Sequence, residues 1–258
     1  MVTGASGGIG RAIARSLHRH GAHLILTGQN TELLEQLRSE LADRAQVIAA
    51  DLSDPDELER LVEEAGQVDV LVANAGLGGN GPIEGFSPEQ IGRMLDVNLQ
   101  APILLARALV PAMVERGTGH VVLISSGAGK IALPLTSLYC ATKFGLRGFG
   151  LALREDLRAT GVGVTIVFPG MISGAGMFAE TGVEAPRGVP TRSPEQVAEA
   201  VIIGIEKDKP EIDVAPLLAR LGGRLFGLAP SLLAAVSRRR MKAMEEALAK
   251  SRYGGLTR

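Results

Sequence analysis

Short apolar runs alternate with longer stretches of helical period along most of the chain. Residues 23–27, 46–50, 68–73, 120–125, 162–168 and 211–214 have the length and apolar content of strands. Between them, residues 8–20, 31–43, 55–65, 88–116, 137–160 and 194–207 carry helical patterns, several entered through Ser, Asp or Thr followed by Pro. Strand and helix in turn predict a parallel sheet, because a parallel neighbour is reached only through a crossover. The runs LVANAG, HVVLISS and VTIVFPG lack polar–apolar alternation, as strands do when helices cover both faces of their sheet.

Two segments break the rhythm. Only Met1 and Val2 precede the Thr3-Gly4 turn, where about five residues of strand would be normal. A stub is expected there, either because residues precede it or because the strand is short. Residues 169–192, PGMISGAGMFAETGVEAPRGVPTR, are rich in Gly and Pro and follow a strand, which favours a lid over a site. No repeat or linker divides the chain, so residues 1–214 are expected to form one catalytic domain with that lid.

Composition narrows the class. A chain with 46% hydrophobic and 21% charged residues is globular rather than disordered. The single cysteine, Cys140, excludes an intrachain disulfide, and the start MVTGASGGIGR has neither a basic nor an apolar leader segment. A cytoplasmic protein is expected. Aromatics are scarce, with no Trp, so platforms for stacking nucleic acid are lacking and no nucleic-acid partner is expected. His18, His20, His23 and His120 have no Cys or acidic cluster at ligand spacing, so no metal site is expected either.

Gly4, Gly8 and Gly10 stand in TGASGGIG, between the stub strand and the first helical pattern. Glycines there let the chain turn sharply and let a pyrophosphate approach backbone N–H groups at a helix N-terminus, where the helix dipole favours negative charge. Tyr139 and Lys143 are four apart in a helical stretch and so share a face. A phenol is a weak acid, and an ammonium close by favours its ionised form, which makes Tyr139 a proton donor and acceptor. Cys140 is read as a small core-facing residue, since no His accompanies it.

TGASGGIG, Asp51 in ADLSD, Ala73–Gly76 as ANAG, Asn98 in DVNL, Ser126 in ISSGAG, Tyr139 with Lys143 in YCATK, and Pro169-Gly170 follow one another in a familiar order. In that order and approximate spacing the sequence resembles the classical short-chain dehydrogenase/reductase family over residues 1 to about 214. The resemblance implies a single-domain, doubly wound Rossmann fold with strand order 3-2-1-4-5-6-7. It also implies an NAD(P)(H)-dependent oxidoreductase interconverting a secondary alcohol and a ketone, working as a homodimer or homotetramer. Catalysis would fall to Ser126, Tyr139, Lys143 and Asn98. Ser126 would hold the substrate oxygen, Lys143 would also grip the nicotinamide ribose, and Asn98 would support a water relay. Ser126 is preferred to Ser125 because it stands thirteen residues before Tyr139, as in the family.

By the same resemblance the cofactor would lie against Gly4, Ser6, Gly8, Ile9 and Gly10, then Asp51 at the adenine amino group with Leu52 on the ring. Asn74, Ala75 and Gly76, Tyr139 and Lys143, and Pro169, Gly170 and Ile172 would complete the cradle. An acid about 20 residues beyond the glycines would select NAD; here Gly28-Gln29-Asn30 offers none. NADP is therefore favoured over NAD, with Ser6, Gln29 and Asn30 as neutral donors to its extra phosphate. After Pro169-Gly170 the family's threonine is replaced by Gly174, and Ser173 is expected to substitute.

The end of the chain differs in character. Residues 216–258 hold nine Lys and Arg against two Glu, so 215–258 reads as a basic helical extension. Leu217, Leu218, Leu221, Leu225 and Leu228 form a helical stripe expected to be buried, broken by Gly222-Gly223 and Pro230. A cover over the substrate mouth or a subunit contact is favoured over peripheral membrane contact. The Leu-, Met- and Phe-rich lid and tail point to a lipophilic carbonyl substrate. A non-catalytic dinucleotide sensor is the alternative reading, and it leaves Tyr139 and Lys143 without a purpose.

Overall fold

The computed structural model describes residues 1–132, 134–175 and 190–226, apart from the side chain of Arg224. Seven parallel strands form one sheet in the order β3-β2-β1-β4-β5-β6-β7, as the resemblance implies. They are β1 (Val2–Thr3), β2 (Leu24–Thr27), β3 (Ala45–Val47), β4 (Val70–Ala73), β5 (Gly119–Ile124), β6 (Val162–Pro169) and β7 (Glu211–Val214). The helices are α1 (Gly8–Arg19), α2 (Thr31–Leu41), α3 (Pro55–Ala65), α4 (Pro88–Leu95), α5 (Ala101–Arg116), α6 (Ser137–Asp156), α7 (Pro194–Lys207) and α8 (Leu217–Phe226). The stub β1 is the central strand, with Val2 opposite both Leu26 and Val72.

Successive residues of a strand point to opposite faces, and here both directions are apolar. On one face Val2, Leu26, Val122 and Val167 meet Ile13, Leu34 and Leu37 of α1 and α2 and Val197 and Val201 of α7. On the other, Leu71, Val121, Leu123 and Ile166 meet Leu61, Leu105, Met113 and Leu146 of α3, α5 and α6. The uninterrupted apolar strands in the sequence follow from this double covering. Chain order reverses between β1 and β4, which opens a crevice at the carboxyl ends of the strands, where open α/β sheets bind ligands.

Several expected boundaries move by one or two residues, and three departures are larger. The third strand ends at Val47 rather than at residue 50, although Ile48 N and Ala50 N still donate to Leu26 and Gly28 carbonyls at 3.1 Å. The helix expected to reach residue 160 ends at Asp156. Gly161 follows at φ +79°, so close to the Gly117 carbonyl that no side chain would fit. The third shift lies inside the long helical pattern 88–116, where residues Asp96–Gln100 form a π-helical turn between α4 and α5. Residues 176–189 of the expected lid and 227–258 of the expected extension, with Leu228, lie outside the described residues.

The leucine stripe departs from expectation too. Leu217, Leu218, Leu221 and Leu225 of α8 are 67%, 81%, 45% and 51% exposed. The helix rests instead on its Gly223 side, against Lys130 and Ile131.

Candidate active site

Two turns shape the floor of the crevice. Gly4 has φ +62° and Gly10 lies so close to the Gly4 carbonyl that a β-carbon there would collide with it. The Gly7 N-cap of α1 has no side-chain capping bond, and the first turn holds no acid. The opening amides of α1 therefore meet the crevice with neither a capping side chain nor a repelling carboxylate, the environment an anionic pyrophosphate requires. Beside them Thr3, which sequence reasoning missed, accepts from Asn74 N at 3.0 Å and Ala75 N at 2.9 Å through Oγ1. Asn74 Nδ2 returns bonds to the Thr3 and Gly4 carbonyls. These bonds rivet the turn after β4 to the glycine turn.

A cavity of about 420 Å³ opens here. Gly4, Ser6, Gly8, Ile9, Gly10, Gln29, Asn30, Asp51, Leu52, Asn74, Ala75 and Gly76 all line it, as do Ser126, Tyr139, Lys143, Pro169, Gly170 and Ile172. The structure thus brings every expected cofactor position to one cavity. Asn98 stands behind Gly76 instead. It is buried in the π-helical turn, where its Oδ1 accepts from Leu77 N at 2.6 Å and its Nδ2 donates to Leu77 O and Thr142 Oγ1.

At the reactive end, Ser126 Oγ accepts from Ala128 N at 3.2 Å, and its hydroxyl stands near enough to Tyr139 to favour the ionised phenol. Ser125 turns away, its Oγ donating to the Lys143 carbonyl at 3.0 Å. Lys143 Nζ donates to Ile124 O at 3.1 Å and stands 5.7 Å from the centre of the Tyr139 ring. Burial pushes the phenol up to about 12, and the nearby Ser126 hydroxyl offsets only part of this. Burial likewise lowers the Lys143 ammonium to about 8. The expected lowering of the phenol by Lys143 is thus overridden: desolvation dominates and Tyr139 is held as a proton carrier. Cys140 is buried beside Thr136 Oγ1 at 3.1 Å.

The adenosine end is more crowded than expected. Asn30 Oδ1 caps α2 by accepting from Leu33 N at 3.0 Å, and the Gln29 side chain lies near enough to Asp51 to stabilise its carboxylate. Both side chains are therefore engaged elsewhere, and Ser6, near Gly28, is the least committed of the three expected phosphate donors. Arg93 of α4, another residue missed, binds Asp51 at 3.0 Å. A cation on an exposed helix gives no sequence signal of its target. Ser173, expected to replace the family's threonine, turns to the Arg192 carbonyl. Ala175 takes the cavity wall in its place, tight against Gly8.

Known proteins resemble this chain over most of its length. A family model described as short chain dehydrogenase matches residues 1–185. Dehydrogenase/reductase SDR family member 7B of Bos taurus is 37% identical over 252 residues, covering 90% of this chain and 78% of that one. Ketoacyl reductase HetN of a Nostoc species is 36% identical over 221 residues, covering 83% and 77%. An actinorhodin polyketide ketoreductase solved with NADPH superimposes with a TM-score of 0.77 at 31% identity, covering 84% of this chain and 95% of that one.

Proposed function

This chain belongs to the short-chain dehydrogenase family, a family of oxidoreductases, and on that basis we propose that it reduces a lipophilic ketone to a secondary alcohol with NADPH. The observation that carries the reading is the Ser126–Tyr139–Lys143 group at one end of a dinucleotide-sized crevice. The uncapped amides of α1 and the glycines that no side chain could replace suit a pyrophosphate. Gly28-Gln29-Asn30 bears no carboxylate to repel a 2′-phosphate, which favours NADP over NAD. The NADPH bound by the polyketide ketoreductase supports the same choice.

The residues lining the cavity would hold a reduced nicotinamide dinucleotide, which would supply a hydride to the carbonyl carbon. The protein handles the oxygen. Ser126 holds the carbonyl oxygen by a hydrogen bond, and Tyr139, kept neutral by burial, gives it a proton as negative charge develops. The phenolate left behind stands near the Lys143 ammonium, which lowers the cost of that charge. A water relay past Asn98 would restore the proton. In the oxidative direction the same groups act in reverse.

An apolar cluster of Phe86, Met94 and Leu138, with Ile91 against it, packs on Tyr139. Phe86, Met94 and Leu138 are buried and none of the cluster lines the cavity, so it backs the Tyr139 ring. The support for a lipophilic carbonyl comes from the relatives named as ketoacyl or 3-oxoacyl reductases. Purified protein should consume NADPH with a medium-chain 3-ketoacyl thioester faster than with a short polar ketone. Binding of NADPH without turnover of any ketone would favour the sensor reading instead. The exposed leucines of α8 support one addition, attachment of the reductase to a membrane surface, which flotation with anionic vesicles tests.

A further inference from the structure

Asp51 is fixed more firmly than a residue on a connecting loop needs to be. Its backbone N–H donates to Glu57 Oε2 at 2.8 Å, which pins the main chain to α3. Its Oδ1 accepts from Ser53 N at 2.9 Å and Ser53 Oγ at 2.6 Å. Its Oδ2 accepts from Arg93 Nη2 at 3.0 Å, while Arg93 Nη1 donates to Ser53 Oγ at 3.0 Å. Arg93, Ser53 and Asp51 thus close a ring in which the planar guanidinium bridges the carboxylate and the hydroxyl that already binds it.

The ring joins parts of the chain that share no strand. Arg93 comes from α4, whose entry is fixed by a capping box between Ser87 and Gln90. Asp51 and Ser53 lie between β3 and α3. The Asp51 side chain reaches the cavity wall beside Leu52 and Gln29, and Arg93 does not line that wall. Arg93 therefore touches the site only through Asp51. A carboxylate oxygen has two acceptor positions, so beyond the bond from Arg93 one position of Oδ2 remains, for which a donor in the cavity would compete with the nearby Gln29 side chain.

We propose that Arg93 is a positioning residue for the base of the dinucleotide, orienting the Asp51 carboxylate so that it accepts from an exocyclic amino group and rejects a carbonyl oxygen. The inference rests on the dinucleotide-binding reading above. It gives Arg93 a role in base discrimination and none in hydride transfer. An arginine that merely tied α4 to the loop would affect all ligands alike.

The test is calorimetric titration of wild type, Arg93→Gln and Ser53→Ala with three probes. These are NADPH, its hypoxanthine analogue, in which a carbonyl replaces the amino group, and reduced nicotinamide mononucleotide, which lacks the base. Wild type should bind NADPH more tightly than the hypoxanthine analogue. Arg93→Gln should shrink that preference by about tenfold, the usual worth of one hydrogen bond to a charged group, and leave the mononucleotide unchanged. Ser53→Ala should shift it the same way by less. An unchanged preference in Arg93→Gln, or equal weakening toward all three probes, overturns the role of Arg93 while leaving the cofactor reading intact. Failure of wild type to bind NADPH at all overturns both.

Discussion

Asn98 and Lys143 meet across Gly76: a β-carbon on Gly76 would lie 3.4 Å from Asn98 Oδ1 and 3.4 Å from Lys143 Nζ. The two side chains come from the π-helical turn and from α6, and neither bonds the other directly. Asn98 spends its carboxamide on Leu77 and Thr142, so its immediate effect is to fix the backbone beside the ammonium. Lys143 has one hydrogen bond, to Ile124 O, and remaining protons for other partners.

That burial makes the stability of the free protein depend on pH in a defined direction. Burial lowers the Lys143 ammonium from 10.5 to about 8. Between those values the unfolded chain binds the proton and the folded chain has released it, so unfolding stability rises with pH. Wild type should therefore gain stability relative to Lys143→Met between pH 8 and 10. Denaturant midpoints of both proteins at several pH values measure it. A difference that stays flat, or that shifts against wild type as pH rises, contradicts a desolvated ammonium.

Tyr139→Phe removes one hydroxyl and keeps the ring against Leu138, Phe86 and Met94. Turnover should fall by at least about a hundredfold, because the proton donor is gone, while the dissociation constant for NADPH should hardly change. Stopped-flow reduction together with calorimetry separates the two. Activity within about tenfold of wild type would remove Tyr139 from the mechanism.

Glycines in the chain divide by what surrounds them. A methyl on Gly10 would strike the Gly4 carbonyl and lie 2.9 Å from Ala5 Cα, backbone that cannot move aside. Gly10→Ala should cost about 1–3 kcal/mol and abolish dinucleotide binding. Gly148, exposed on α6 with nothing within 4 Å, supplies the contrast: Gly148→Ala should stabilise by about 0.5–1 kcal/mol. Thermal or urea unfolding of the pair should move in opposite directions.

Sequence patterns carried the sheet because its physics is local. Each strand is a run of apolar residues and each helix an amphipathic stretch, so Pro55–Ala65, Pro194–Lys207 and Glu211–Val214 could be read to the residue. Ser126, Tyr139 and Lys143 were legible through a spacing that a helix and a strand end turn into proximity. What escaped depends on pairs distant in sequence. Arg93 meets Asp51 from 42 residues away, and Thr3 meets Asn74 from 71 away. Nothing near either residue marks its partner. The balance at Tyr139 escaped for a related reason: spacing places Lys143 one turn away, but only packing shows that the partly buried phenol is desolvated enough to outweigh that charge. The leucine stripe of α8 was legible as amphipathic, yet its partner was not.

Cofactor choice should respond to one residue at the end of β2. Gly28 is not among the glycines with positive φ, so its backbone accepts a side chain. A β-carbon there would stand 3.2 Å from Ser6 Oγ, the end of a short side chain that can rotate away. A carboxylate at this position would repel a 2′-phosphate and accept from a free ribose hydroxyl. It would also face Ser6, the least committed of the neutral donors in the present arrangement. Gly28→Asp should therefore shift the ratio of NADP to NAD dissociation constants toward NAD by at least about tenfold, since like charges brought together cost several kcal/mol. Melting temperature should stay close to wild type, because no backbone atom lies nearer than 3.9 Å to the new carbon. A wild type that already prefers NAD, or a variant with an unchanged ratio, would place the selectivity elsewhere in the crevice.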